Sequence, residues 1–156
     1  MTTATLHEKQ AKDQRSLDEQ EIRALINSMH KAHHDKNGAA IAALYDRQAA
    51  VFNLAPPLTH VGVDVEEKQR WLDSWATPVE IESRDLRVTI SGDLAFVHGF
   101  IRLRGTKKGP EGPVDFWMRE TLSLERQKGT WRIVHEHTSV PFYMDGSLRP
   151  AFDLKP

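Results

Sequence analysis

The chain has no cysteine among its 156 residues, which excludes disulfide bonds, thiolate metal ligands and a thiol nucleophile. It also lacks an excess of charge of either sign, since 21 Lys and Arg residues balance 22 Asp and Glu residues. A balanced charge does not attract phosphate backbones or anionic lipids. We therefore expect neither nucleic acid nor a membrane surface as a partner.

Long apolar runs and nucleotide motifs are missing as well. The first residues, 1–12, are polar and charged, so they encode neither a signal peptide nor a transmembrane helix, and we expect a cytoplasmic protein. No phosphate-binding loop, dinucleotide fingerprint or nucleophile elbow occurs, which argues against nucleotide chemistry and serine-triad hydrolysis. The residues indicate no cofactor.

The composition is that of one folded domain. Hydrophobic residues make up 39% of the chain, enough for a single core at this length. The first fifteen residues offer little to bury and are expected to fray. The predicted organisation is a disordered or frayed segment at 1–15, a domain at 16–145 and a C-terminal tail at 146–156.

Helical periodicity fills much of the N-terminal half. Ser16 and Glu19 have the spacing of a capping box, so the first helix is predicted to begin at Ser16. Asp64 can cap a third helix in the same way. The predicted elements are helices over 16–37, 39–45 and 64–77, with a strand over 49–54.

The hydrophobic period changes from helical to alternating after Pro78. Short turns such as Lys128-Gly129 separate the alternating runs, and connections this short favour strands that pair in sequence. The predicted strands are 86–90, 94–104, 114–126 and 131–140. The pattern predicts an α+β fold in which three helices pack on a curved antiparallel sheet that encloses a pocket.

The last strand carries two histidines. Because side chains alternate along a strand, one face holds Trp131, Ile133, His135, His137 and Ser139. If the two apolar residues at its start point into the core, both imidazoles point inward with them. We therefore expect a buried histidine pair, and a structural hydrogen-bonded pair is the plainer interpretation.

The preceding strand has two rows of side chains, and either row could face the interior. One row holds Asp115, Trp117, Arg119, Thr121 and Ser123; the other holds Phe116, Met118, Leu122 and Leu124, with Glu120 between them. A plain interpretation buries the second, apolar row. A cone-shaped sheet allows the reverse, because its outer face can be apolar and form a homodimer. Arg119 and Trp117 would then join the histidines in a cradle for an anionic or enolisable small molecule.

Several histidines and aromatic residues could contact a metal or a ligand, and each also has a simpler explanation. No third ligand is fixed by spacing near the histidine pair, so we expect no metal there. His30, His33 and His34 have metal-compatible spacing on the first helix, but exposure to solvent is the favoured explanation. The remaining candidate ligand-binding residues are Tyr45, Phe52, Trp71 and Trp75, with Thr121 and Ser139 orienting the imidazoles. Tryptophans at helical spacing more often bury area in a core.

Two segments carry a family resemblance. They are F-W-M-R-E-T, Phe116–Thr121, and W-R-I-V-H-E-H-T-S-V-P-F, Trp131–Phe142. They resemble the SnoaL-like and ketosteroid-isomerase-like group, within the superfamily named for the nuclear transport factor, and the likeness spans about 17–141. It implies a cone-shaped fold with three N-terminal-half helices on a strongly curved antiparallel sheet, a deep pocket between them, and a homodimer formed through the outer sheet face.

The resemblance also implies an isomerase, cyclase or dehydratase acting on an apolar, carboxylate or ketone substrate. In such an enzyme His135 or His137 would move a proton and Arg119 would stabilise the oxyanion. The carboxylate base that steroid isomerases carry on the first strand is missing from 51–55, so that particular reaction is not expected. The alternative is a non-catalytic ligand-binding or association domain, similar to the kinase association domain of the same superfamily.

Overall fold

The computed structural model describes residues 3–156, with side chains from residue 8 onward. The helices of this part are α1 Thr3–His34, α2 Gly38–Ala42 and α3 Val65–Asp73. The strands are β1 Tyr45–Phe52, β2 His60–Val61, β3 Glu80–Ser91, β4 Leu94–Thr106, β5 Pro113–Gln127 and β6 Thr130–Ser139. The predicted α+β class, with helices in the N-terminal half, is confirmed.

The first helix is longer than its sequence pattern predicts. It begins at Thr3 rather than at Ser16, because the preceding Ala, Lys, Gln and Glu residues favour a helix and no Gly or Pro interrupts them. The predicted capping box of Ser16 and Glu19 is wrong, since both residues lie inside α1. Side chains 8–17 are exposed, so the extension adds no core. Fraying of 1–15 stays a prediction, and its residues 1–2 lie outside the described part.

The two later helices begin at side-chain caps. Asp64 Oδ1 accepts a hydrogen bond from the Glu67 backbone N–H at 2.8 Å, which confirms the predicted start of α3. Asn37 Oδ1 accepts one from the Ala40 N–H at 2.9 Å and starts α2. That helix ends at Ala42, earlier than predicted, because Tyr45 already pairs with β6 as the first residue of β1.

The sheet has the strand order β2-β1-β6-β5-β4-β3. Strands β3 to β6 pair in sequence and antiparallel, as predicted. The pairing of β1 with β6 is parallel, so the sheet is mixed rather than wholly antiparallel. The sheet is not closed, and β2 and β3 form its two edges.

A β-bulge interrupts the pairing of β5 with β6. Ser123 is opposite His135 while Leu124 is opposite Ile133, so Val134 is an extra residue on β6. The side-chain alternation shifts by one at this point. Ile133 points to the helices, and beyond the bulge Glu136 and Thr138, rather than His135 and His137, continue on that face.

The core lies between α1, α3 and the face of the sheet that we call the inner face. Its fully buried members are Ile22, Ile26, Leu72, Trp75, Val97, Leu122, Leu124 and Ile133. Gly105 lets Trp75 approach the sheet, since a Cβ at this position would lie 2.8 Å from the indole Cε3. The opposite face of the sheet is called the outer face.

The chain beyond β6 folds back on itself. Phe142 bridges Pro150, and the Ala151 N–H donates to the Pro141 carbonyl at 2.9 Å. The Phe152 ring then lies 4.5 Å from the ring of Phe116, between centroids. Within residues 3–156, no helix has both the length and the hydrophobicity needed to cross a bilayer.

Candidate functional site

The predicted catalytic residues lie together, but on the outer face of the sheet. Thr121 is opposite His137, and Arg119 is opposite Ser139. The apolar row of β5 is buried against the helices, whereas Arg119 and His137 are exposed. The predicted inward orientation of the polar row is therefore wrong. The plain interpretation of β5, in which hydrophobic side chains fill the core, is the one that holds.

One aromatic ring packs against both histidines of the outer face. Phe52 contacts both imidazoles edge to face, with centroid distances of 4.9 Å to His135 and 5.7 Å to His137. The His135 Nδ1 lies 2.8 Å from the Ala50 carbonyl, so Nδ1–H donates and Nε2 remains an acceptor. Trp117, on the same face, lies under the Arg102 guanidinium at 5.9 Å.

The prediction that the apolar row of β5 forms the outer face is also wrong. Met118, Leu122 and Leu124 are buried, so they cannot form an exposed patch. Other large hydrophobic side chains take that place: Leu94 is 59% exposed, Phe96 45% and Phe52 38%. The outer face is therefore partly apolar for a different reason.

The inner face instead holds a buried carboxyl group. Glu120, on β5, is 3% exposed, and its Oε2 has no hydrogen-bond partner among the described residues. Burial, helped by the nearby charge of Glu136, raises the pKa of Glu120 to about 8. Thr138 is opposite Glu120, so Glu136 is its diagonal neighbour on β6, within reach of a long side chain.

Tyr45 is hydrogen-bonded to the second carboxylate, that of Glu136. Its hydroxyl donates a hydrogen bond to Glu136 Oε2 and also lies 3.4 Å from Met29 Sδ. Burial and the charge of Glu136 raise the pKa of Tyr45 well above its ordinary value. The phenol therefore keeps its proton and stays a donor to Glu136.

Two histidines of α1 border the same region. His33 is buried, and its Nδ1 lies 2.8 Å from the Met29 carbonyl, so Nδ1–H donates and Nε2 is left as an acceptor. Burial and the charge of Lys68 lower the pKa of His33 to about 4. Burial also lowers the pKa of His30, whose Nε2 lies 3.4 Å from Ser83 Oγ. Solvent exposure, the predicted explanation, applies only to His34.

Lys68 of α3 completes this group. Its ammonium lies 5.1 Å from the ring centroid of Trp71, and burial lowers its pKa while the charges of Glu136 and Glu67 oppose that shift. Trp71 in turn contacts the buried Trp75 ring at 5.5 Å. We call Tyr45, Glu120, Glu136, His33 and Lys68 the interior cluster.

Two surface depressions stand out, and Tyr45 of the interior cluster contributes to the lining of the second. One of about 330 Å³ is lined by the C-terminal residues Tyr143, Asp145, Arg149, Pro150 and Asp153. The other, of about 600 Å³, lies between the α2–β1 corner and the β5–β6 turn. Among the described residues, no group of three His, Asp or Glu side chains has the arrangement of a metal site.

Two features of the sequence mark the interior cluster. Glu120 is a carboxylate within the apolar row of β5. Lys68 shares the helical stripe of Trp71, Leu72 and Trp75. A charged residue at a core-facing position costs free energy unless it is paired, so each is a candidate functional residue.

Comparison with known proteins supports the fold. Residues 22–143 match a family model described as a SnoaL-like domain. An NTF2-like protein of unknown function from Pseudomonas putida KT2440 is 31% identical, with a TM-score of 0.79 over 90% of this chain and 98% of that one. A search of the curated proteins finds no match.

More distant structures share the fold alone. A protein of Novosphingobium aromaticivorans, provisionally named a scytalone dehydratase, is 12% identical, with a TM-score of 0.75 over 89% of this chain and 94% of that one. The CaMKII hub of S. rosetta is 20% identical, with a TM-score of 0.63 over 77% and 94%. With its family match and its 31% identical relative, this chain belongs to the SnoaL-like family of NTF2-like proteins.

Proposed function

We propose that the interior cluster catalyses proton transfer next to a carbonyl group of a small molecule, as an isomerase, cyclase or dehydratase does. One observation carries the proposal: Glu120 is buried beside Glu136 with a pKa of about 8, so it holds a proton at neutral pH. Two neighbouring carboxyl groups in different protonation states can act as an acid and a base.

The roles follow from the hydrogen bonds. Glu136 accepts from Tyr45 and has a second oxygen with which to take a proton from the carbon next to the carbonyl. The electron pair of that C–H bond forms a C=C bond, and the π electrons of the carbonyl move to its oxygen, which takes the proton of Glu120. The product is an enol. Where the enol is conjugated with a second C=C bond, Glu136 returns its proton to the far carbon and Glu120 recovers its proton from the enol oxygen, which completes an isomerisation.

The test is exchange of the α-protons of 2-tetralone for deuterium in D₂O, followed by NMR. We expect the wild-type protein to accelerate the exchange, and Glu136→Gln and Glu120→Gln to slow it about 100-fold, the usual contribution of a positioned acid or base. Glu111→Gln, in an exposed turn, is the matched control. Equal rates in all four proteins would contradict the proposal.

Proton transfer by His135 or His137, with Arg119 as the oxyanion donor, would require a ligand on the outer face. The imidazoles lie 6.4 Å apart there, between ring centroids, and the acceptor Nε2 of His135 supports this second candidate. The same exchange assay separates the two. His137→Gln would abolish exchange if the outer face is the catalytic site and would leave it unchanged if the interior cluster is.

The alternative class is an association domain that uses the outer face. A second copy of this chain is the proposed occupant, and the exposed Phe52, Leu94 and Phe96 side chains support it, because monomers rarely leave such a patch in water. The charged Arg102 on this face is already paired with Asp115 at 2.7 Å and so does not prevent apolar contact. A homodimer is compatible with catalysis in the interior.

A further inference from the structure

We infer that Lys68 binds a carboxylate group of the substrate in the interior cluster. This inference rests on the proposed function, because it concerns the ligand of the same site. The ligand would carry a negative charge, and Lys68 would be the residue that selects it.

The position of Lys68 on α3 is the first observation. Lys68, Trp71 and Leu72 have the spacing i, i+3 and i+4, so they share one face of α3, and Leu72 and the following Trp75, just beyond the helix, are fully buried in the core. Lys68 is the charged member of this stripe. An apolar residue would pack there without the cost of desolvating an ammonium group.

The second observation is that Lys68 lacks the partners that neighbouring lysines have. Lys36 Nζ donates to the Trp75 carbonyl at 2.5 Å, and Lys107 Nζ donates to Ser74 Oγ at 2.7 Å. Among the side chains from residue 8 onward, Lys68 Nζ has no hydrogen-bond acceptor and no carboxylate within 4.0 Å. The ammonium lies over the Trp71 ring, 5.1 Å from its centroid.

No carboxylate of the described side chains lies within 4.0 Å of this charge. Glu120 is neutral at pH 7, and Glu136 is engaged by Tyr45. The charge of Glu67 acts on Lys68 from more than 4.0 Å away. His33 is neutral as well, and its Nε2 can accept but not donate. An incoming carboxylate would therefore meet an unpaired ammonium group next to an aromatic surface. An acid with a carbonyl group beyond its carboxylate could then extend towards Glu120.

The experiment compares benzoate with benzamide, two planar probes that differ in charge. Binding is followed through tryptophan fluorescence, since Trp71 lies beside the ammonium. We expect the wild-type protein to bind benzoate at least about tenfold more tightly than benzamide. Lys68→Met should lose this preference and Lys68→Arg should keep it. Lys31→Met, an exposed position on α1, is the control and should behave like the wild type.

Two results would overturn the inference: no preference for benzoate in the wild-type protein, or an unchanged preference in Lys68→Met. Thermal unfolding of each variant verifies the fold. Glu120→Gln separates this inference from the proposed reaction, because it should retain the preference for benzoate and lose deuterium exchange. If no protein catalyses exchange while the benzoate preference depends on Lys68, the reaction fails and the binding site stands.

Discussion

The Arg126 guanidinium lies 2.5 Å from Asp18 Oδ1 and joins the first helix to the long strand β5. Both side chains are largely buried, and Gln14 also donates to Asp18 at 2.8 Å. Burial by itself raises the pKa of Asp18, but the hydrogen bonds from Arg126 and Gln14 outweigh it and lower that pKa below its ordinary value. The ion pair therefore stabilises the folded state once the carboxylate is ionised.

We predict that Asp18→Asn lowers the free energy of unfolding by about 2 kcal/mol near pH 7, because it leaves Arg126 with only its more exposed partners. Glu21→Gln is the matched control. Glu21 lies 3.7 Å from the same guanidinium but is exposed, so the change should cost less than about 0.5 kcal/mol. Urea denaturation measures both values. Equal losses would show that the burial of Asp18 does not matter.

Glu120 should make the protein less stable in alkali. Its folded pKa of about 8 is above its ordinary 4.5, so the folded state binds more protons than the unfolded chain between these values. Stability falls as pH rises through this range, by roughly 5 kcal/mol in total. Glu120→Gln cannot ionise and should abolish the decline between neutral pH and about pH 8, measured by urea denaturation. A decline that persists in the variant would contradict the raised pKa.

His33 should make the protein less stable in acid, whereas Glu120 makes it less stable in alkali. Its folded pKa of about 4 is below the ordinary 6.5, so the unfolded chain binds more protons in mild acid. Its contribution is complete above pH 6.5 and is lost, by roughly 3 kcal/mol, as pH falls to about 4. His33→Gln should reduce acid sensitivity by that amount. His34→Gln, on the exposed side of α1, should not change it.

The outer face should determine the oligomeric state. We predict that the wild-type protein is a homodimer at micromolar concentration and that Phe96→Glu makes it monomeric, because a carboxylate cannot be buried in an apolar contact without a partner. Sedimentation analysis measures the mass. Leu148→Glu, an exposed hydrophobic position in the C-terminal segment, is the control and should remain dimeric. A wild-type monomer would exclude this interface.

Local patterns predicted most of the fold. Asp64 caps α3 as its spacing to Glu67 indicates, and the turn at Lys128-Gly129 joins two strands that pair in sequence. The alternation on β5 also placed Arg119 and Thr121 on the same face as the outer histidines. These features depend on neighbours in the chain, which the sequence displays directly.

The orientation of β6 could not be predicted from alternation. Trp131 and Ile133 do point into the core, but the bulge at Val134 shifts the alternation before His135. A bulge is a property of two paired strands and has no reliable signature in one of them. The stronger signal was Glu120, whose place within an apolar row marks a buried carboxyl group.

Val134 also has a consequence for the diversification of this fold. Pairing Val134 opposite Ser123 would remove the bulge by a one-residue slip and exchange the two sets of side chains beyond it, so that imidazoles would point to the helices and Glu136 to the outside. A one-residue slip of β6 along β5 could thus replace carboxylate chemistry by imidazole chemistry in the interior while the order of the strands is kept. The bulge makes the type of acid–base group a matter of strand register.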